Sequence, residues 1–261
     1  MKLDGKVAIV VGGGVGVGAF VSRKLAQEGA KLVITEHEAK RLEGVKQEIS
    51  GAEFAVLDAT NEADVIKFVG NVVAKYGKID VLVNASRVAI KKLVLETTPE
   101  EFKRIFDFNV KSVFLTSKEV AKQMKAQGNG SIINLASKAA NSGPLLVGAY
   151  ATAMNGISGF TRSFALDMRI HGIKVNVVCP GRIDNEEFQL GAEMLGAEQP
   201  EPKSYLNFSA LFDVSKEREA VANMVAYLAS DEGNFIHAQS YSLYDDETTS
   251  IRNLATLNWE E

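Results

Sequence analysis

The feature that most constrains this chain is seven residues long: Gly12-Gly13-Gly14-Val15-Gly16-Val17-Gly18. It follows Val7-Ala8-Ile9-Val10-Val11, a continuous apolar, β-branched run that reads as a strand buried on both faces. Ala19 to Gly29 then reads as a helix, with Phe20, Val21, Leu25 and Ala26 on one side. Strand, glycine turn and helix in that order present backbone N–H groups at a helix N-terminus, with no side chains to hold an anion away. The arrangement points to a pyrophosphate site; the plain alternative is a strand–helix connection. Glu36 supports the first reading, since it lies 18 residues beyond Gly18, just past the second strand. A carboxylate there accepts ribose hydroxyls of an adenosine and repels a 2′-phosphate, which favours NAD over NADP. His37, Lys40 and Arg41 stand close by and leave room for NADP, and Glu36 has its own alternative as a solvated loop acid.

The same cycle repeats along the chain. Strands are expected at Lys31–Thr35, Glu53–Leu57, Val81–Asn84, Ser131–Ala136, Lys174–Val178 and Tyr241–Tyr244. Helices are expected at about Lys40–Ile49, Glu62–Tyr76, Pro99–Gln127, Ala149–His171 and Glu217–Ala229. Strands alternating with helices imply parallel pairing through right-handed crossovers. No fixed-period repeat, linker or low-complexity run divides the 261 residues, so the expectation is one doubly wound α/β domain of about seven parallel strands, helices on both faces, spanning 1–261. Residues 182–215 are less regular.

Composition removes several classes of function. A net charge of −4 offers no global basic field for nucleic acid or an anionic membrane. No apolar run approaches the ~18 residues of a transmembrane helix, and the five-residue run near the start is short for a secretory segment. The single cysteine, Cys179, excludes an internal disulfide framework and fits a reducing, cytoplasmic setting. Before Pro180 it reads as a small buried hydrophobe. His37, His171 and His237 have no ligand-spaced partners, so no metal is expected.

The spacing Gly12-x-x-x-Gly16-x-Gly18 resembles the short-chain dehydrogenase/reductase family, and the likeness extends over roughly residues 5–244. Asp58-Ala59-Thr60, Asn109, Ser137, Tyr150 and Pro180-Gly181 fall in the family's order. The resemblance implies a Rossmann-type fold and hydride transfer between NAD(H) and an alcohol or carbonyl. It implies cofactor contacts from Gly12, Gly14, Gly16, Val17, Gly18, Glu36, Asp58, Ala59, Asn84, Arg87, Tyr150, Pro180, Gly181 and Ile183. It also implies catalysis by Tyr150 as acid/base, with Ser137 holding the substrate oxygen and Asn109 anchoring a water relay. Ser137 and Tyr150 keep the family's interval of 13.

Four residues after the tyrosine, where the family has a lysine, this chain has Met154. A free tyrosine ionises near pH ~10, about 3 units or ~4 kcal/mol away from neutrality. A neighbouring cation recovers roughly 1–3 of those units, and methionine supplies none. Alcohol oxidation, which needs the tyrosine as base, suffers more than carbonyl reduction. Asn84-Ala85-Ser86-Arg87 also departs from Asn-Asn-Ala-Gly, Val11 replaces a common threonine, and Leu243-Tyr244-Asp245-Asp246 departs from Val-Asp-Gly-Gly. Arg87, expected at the carboxyl edge of the sheet, is the candidate for the missing positive charge; a solvated arginine is the alternative. Lys138, beside Ser137, is expected to face away as its strand neighbour.

The resemblance implies that 182–215 covers the substrate, and its apolar residues, among them Phe188, Leu190, Leu195, Tyr205 and Phe208, then point to a mostly apolar small molecule; a surface helix pair without a substrate role is the alternative. Ala151, Ala153, Gly156, Gly159, Phe160 and Phe164 on the long helices point to close packing against a second copy, and the resemblance implies a homodimer or homotetramer. Two alternatives stay open because of Met154: a non-redox isomerase, dehydratase or lyase on the same fold, and a catalytically impaired dinucleotide-binding protein.

Overall fold

In the computed structural model, residues 1–181, 191–193, 196 and 214–243 are described. Seven strands form one parallel sheet: β1 (Val7–Val11), β2 (Lys31–Glu36), β3 (Glu53–Val56), β4 (Val81–Asn84), β5 (Gly130–Leu135), β6 (Ile173–Pro180) and β7 (Ser240–Leu243). Their order is β3-β2-β1-β4-β5-β6-β7, each pair parallel. The chain therefore runs outward one way from β1, crosses back to β4, and runs outward the other way. Loops leaving β1 and β4 part company at that reversal and open a crevice at the carboxyl edge.

The α-helices are α1 (Gly16–Gln27), α2 (Glu43–Glu48), α3 (Glu62–Tyr76), α4 (Pro99–Phe106), α5 (Ser112–Gln127), α6 (Ala139–Ser142), α7 (Gly148–Arg169) and α8 (Val214–Ala229). Two buried clusters fill the faces of the sheet. Val17, Val21 and Leu25 of α1 join Val221, Val225 and Leu228 of α8 over Ala8, Val10 and Ile34. Val65, Val69 and Val72 of α3 join Leu115 and Met124 of α5 over Ile9, Leu82 and Ile132. Apolar side chains on both faces are what the uninterrupted strands required.

One of the expected long helices is not continuous. A capping box, Thr98 with Glu101, and Pro99 in the first turn start α4. Residues Asp107–Lys111 then widen into a π-turn before α5. The cause is local: the Asn109 side-chain amide donates to the Ile105 carbonyl at 2.8 Å, the acceptor an α-helix would give to the Asn109 backbone N–H. The expected Lys40–Ile49 helix is likewise a 3₁₀ turn, Ala39–Leu42, followed by the short α2. Lys138 is not on a strand at all; β5 ends at Leu135, and Lys138 leads into α6 with its N–H on the Pro180 carbonyl.

Candidate active site

The crevice above β1 and β4 is a cleft open to solvent. Gly12, Gly16, Val17 and Gly18 form its floor, Thr35, Glu36, Leu57, Ala59 and Thr60 one wall, and Ser86, Arg87 and Phe108 the other. Two of the glycines are sterically required. Gly12 has φ +76°, and a Cβ there would lie 2.5 Å from the Ser86 backbone nitrogen; a Cβ on Gly18 would lie 1.9 Å from the Gly12 carbonyl oxygen. The turn is packed backbone on backbone, so the α1 N-terminus opens straight into the cleft. No side chain caps that helix and its first turn holds no acid.

Glu36 is buried at the end of β2, its Oε1 accepting the Gly14 N–H at 2.9 Å. Burial pushes its carboxyl above the usual range; the N–H groups of Gly14, His37 and Val15 and the nearby Arg41 charge pull the other way. Arg41 is buried in the same wall and pairs with Glu38 at 3.8 Å, while Lys40 is exposed. Thr35 is fully buried, and its Oγ1 has no hydrogen-bonding partner among the described residues. An orphaned hydroxyl, a buried carboxylate and an uncapped helix start fit the adenosine and diphosphate of a dinucleotide.

The remaining expected residues divide. Asp58 Oδ1 is occupied by the Thr60 N–H and hydroxyl at 2.9 and 2.7 Å, so Asp58 shapes the wall while Ala59 and Thr60 line it. Asn84, expected at the cofactor, turns its side chain away: its amide donates to Ser117 Oγ and Asn134 Oδ1 at 3.1 and 2.8 Å and accepts from Thr116 Oγ1 at 2.8 Å. Asn109 is similarly engaged. Its oxygen accepts the Val88 N–H at 3.0 Å and its nitrogen donates to the Val88 and Ile105 carbonyls. The asparagine expected to anchor a relay is, through its side chain, a staple between the π-turn and the segment after β4.

Ser137, after β5, and Tyr150, in the first turn of α7, are each 1% exposed at the carboxyl edge of the sheet. Tyr150 packs in one cluster with Ala136, Met154 and Cys179. Ser137 Oγ accepts the Ala139 N–H at 3.1 Å. Burial pushes the Cys179 thiol up, in keeping with a small buried hydrophobe. Pro180 ends β6, and the Gly181 N–H donates to Glu217. Ile183, Tyr244, most of the 182–215 segment and the 257–261 tail lie outside the described residues.

Arg87 is not a solvated arginine. It is half-buried, lines the cleft, and donates from Nη1 to the Ala136 carbonyl at 3.1 Å, one residue before Ser137. Sequence reasoning missed Thr35, Phe108 and Ser112 as cleft residues. Thr35 was legible from its place beside Glu36. Phe108 was not, because only the π-turn brings its ring edge-on to His37, 5.5 Å between centroids.

The family profile described as short chain dehydrogenase matches residues 6–192. This chain belongs to the short-chain dehydrogenase family. Sorbitol dehydrogenase from Cereibacter sphaeroides is 31% identical over 93% of this chain and 97% of its own. Borneol dehydrogenase, mitochondrial, from Lavandula x intermedia is 32% identical over 97% of this chain and 93% of its own. The crystal structure of an NAD⁺-bound xylitol dehydrogenase superposes with a TM-score of 0.79 at 27% identity, covering 93% of this chain and 99% of the other. The short-chain dehydrogenase fold thus accounts for the sheet order, the glycine turn and the nicotinamide cofactor class. No helix of the described residues is long and apolar enough to cross a membrane.

Proposed function

We propose that this short-chain dehydrogenase moves a hydride between NAD(H) and an alcohol or carbonyl carbon of a mostly apolar small molecule. One observation supports the reading: the glycine cradle with Glu36 in its wall follows β1 at the carboxyl edge of the parallel sheet, the edge at which Ser137 follows β5 and Tyr150 starts α7. A nicotinamide cofactor supplies or takes up the hydride. Gly12, Gly16, Val17 and Gly18 seat the diphosphate, and Glu36 with Thr35 holds the adenosine ribose. A buried carboxylate there disfavours a 2′-phosphate, which selects NAD over NADP.

In reduction, Tyr150 donates its phenolic proton to the carbonyl oxygen while the Ser137 hydroxyl donates a hydrogen bond to the same oxygen. In oxidation, Tyr150 takes that proton back. Asn109 positions the Val88 segment rather than touching substrate. The apolar preference has support among the described residues. Lys92 N–H bonds the Leu146 carbonyl at 2.7 Å, which brings the exposed Leu93, Val94 and Leu95 beside Leu145 and the start of α7. The dehydrogenase names of the relatives compared above favour redox chemistry over the isomerase, dehydratase or lyase alternative.

The test uses NADH deuterated at the transferred position and two carbonyl panels, one terpenoid-like and apolar, one of ketoses. Deuterium on the carbinol carbon of an apolar product, lost in Tyr150→Phe, is the expected result. Turnover confined to ketoses overturns the substrate class, and no transfer to any carbonyl overturns the reaction.

A further inference from the structure

Met154, one turn beyond Tyr150, carries no charge. Arg87 sits in the turn after β4, directly against the glycine cradle, whose Gly12 backbone touches Ser86. Its bond to the Ala136 carbonyl spans from the end of β4 to the end of β5. That anchor fixes the guanidinium at the cleft wall instead of leaving it to wave in solvent. On the far side of α1, Arg218 of α8 lies over the Phe20 ring, 5.7 Å from its centroid, and Phe20 is two residues past Gly18. Arg218 is held below its usual pKa by burial first and then by the Arg87 charge.

Three features at the α1 N-terminus add up for an anion. The α1 macrodipole is positive at this end, its first turn contains no acid, and Arg87 lines the cleft beside it with Arg218 over Phe20 of the same helix. Glu36, the carboxylate in the cleft, is turned onto Gly14 at the adenosine end. Guanidinium is also the side chain best matched to phosphate oxygens, which it meets through paired N–H donors.

We propose that Arg87, backed by Arg218, is the positioning cation for the cofactor's diphosphate, so that this chain orients the dinucleotide from the β4 turn. The proposal rests on the dinucleotide reading above. Calorimetry of NADH, ADP and adenosine on the full chain and on Arg87→Gln tests it, because adenosine lacks the diphosphate. Arg87→Gln is expected to weaken NADH and ADP by about ten- to a hundredfold and to leave adenosine unchanged. Arg87→Lys is expected to recover part of the loss, and the fall of NADH affinity with salt is expected to be shallower in Arg87→Gln.

Equal ADP affinity in Arg87→Gln and the unaltered chain overturns the proposal. So does an equal loss for adenosine, which would mean that Arg87 only supports the turn. Failure of the unaltered chain to bind NADH overturns the functional reading and this inference together. Arg218→Gln, on a different element, keeps the test open should Arg87→Gln not fold. It is expected to weaken ADP several-fold with adenosine unchanged, and an unchanged ADP affinity counts against the proposal.

Discussion

The Gly14 amide donates to Glu36 Oε1 at 2.9 Å, tying the turn after β1 to the end of β2. The same contact buries a carboxylate, and burial raises its pKa above the ordinary 4.5 despite the N–H groups facing it. A folded-state acid with a raised pKa holds its proton where the unfolded chain has released it. Stability is therefore fully present below pH ~4.5 and declines as pH rises through the folded value. Glu36→Gln removes that decline. Urea midpoints measured across pH ~4–8 should fall for the native protein over that window and stay flatter for the variant; parallel curves would sink the idea.

Gly18→Ala places a methyl group on the Gly12 carbonyl oxygen. Backbone must move, and overpacking of this kind costs about 1–3 kcal/mol. Denaturant unfolding should show that loss, and calorimetry should show NADH affinity falling at least tenfold, because the N–H groups lose their common focus. Gly44→Ala, inside α2 with nothing within 4 Å of its added Cβ, is the control: it should leave NADH affinity unchanged and raise stability by about 0.5–1 kcal/mol.

Asn109→Ala strands the Val88 N–H and two carbonyl acceptors in a fully buried place. The expected cost is about 2–4 kcal/mol, read from urea denaturation. Hydrogen exchange should rise first in residues 85–90 and 105–112, the two segments the side chain joins. Uniform exchange across the chain would show that the staple is not local.

Met154→Lys puts an ammonium where the native side chain is wholly buried. The urea midpoint should drop, since the charge is desolvated. Initial rates of NAD⁺ reduction by an apolar alcohol near pH ~7 should nevertheless rise, by roughly tenfold to a thousandfold, as the cation favours ionised Tyr150. Carbonyl reduction should change less. A rise confined to reduction would contradict the assignment of Tyr150 as base.

We propose the aromatic edge of α5 and α7 as the surface for a second copy of the chain. Phe114 is 43% exposed, 6.1 Å from Phe160, which stacks on Phe164 at 5.1 Å. Ala151 and Ala153, also expected there, are instead buried within the subunit, and Gly156 faces Val110. Light scattering should give a dimer or larger for the native chain and a monomer for Phe114→Asp; a monomeric native mass refutes the surface.

Buried strands written in β-branched residues, glycines at turns and helix-length intervals were local signals, which is why seven strands and their parallel sense were readable from the chain alone. So was the strand–turn–helix at Gly12–Gly18 with Glu36 beside it, because a turn packed backbone on backbone needs glycines at short spacing. The roles of Asn84 and Asn109 were not readable. An amide side chain offers both donors and an acceptor, and which partners it meets depends on β4, β5, α5 and the π-turn folding around it. Arg87 was ambiguous for the same reason: its type announces charge, but only the packing of the β4 turn on Gly12 and Ala136 aims that charge into the cleft. The order of residues thus determined the scaffold and the cofactor class, while the direction of each polar side chain was decided by long-range contacts that no local spacing encodes.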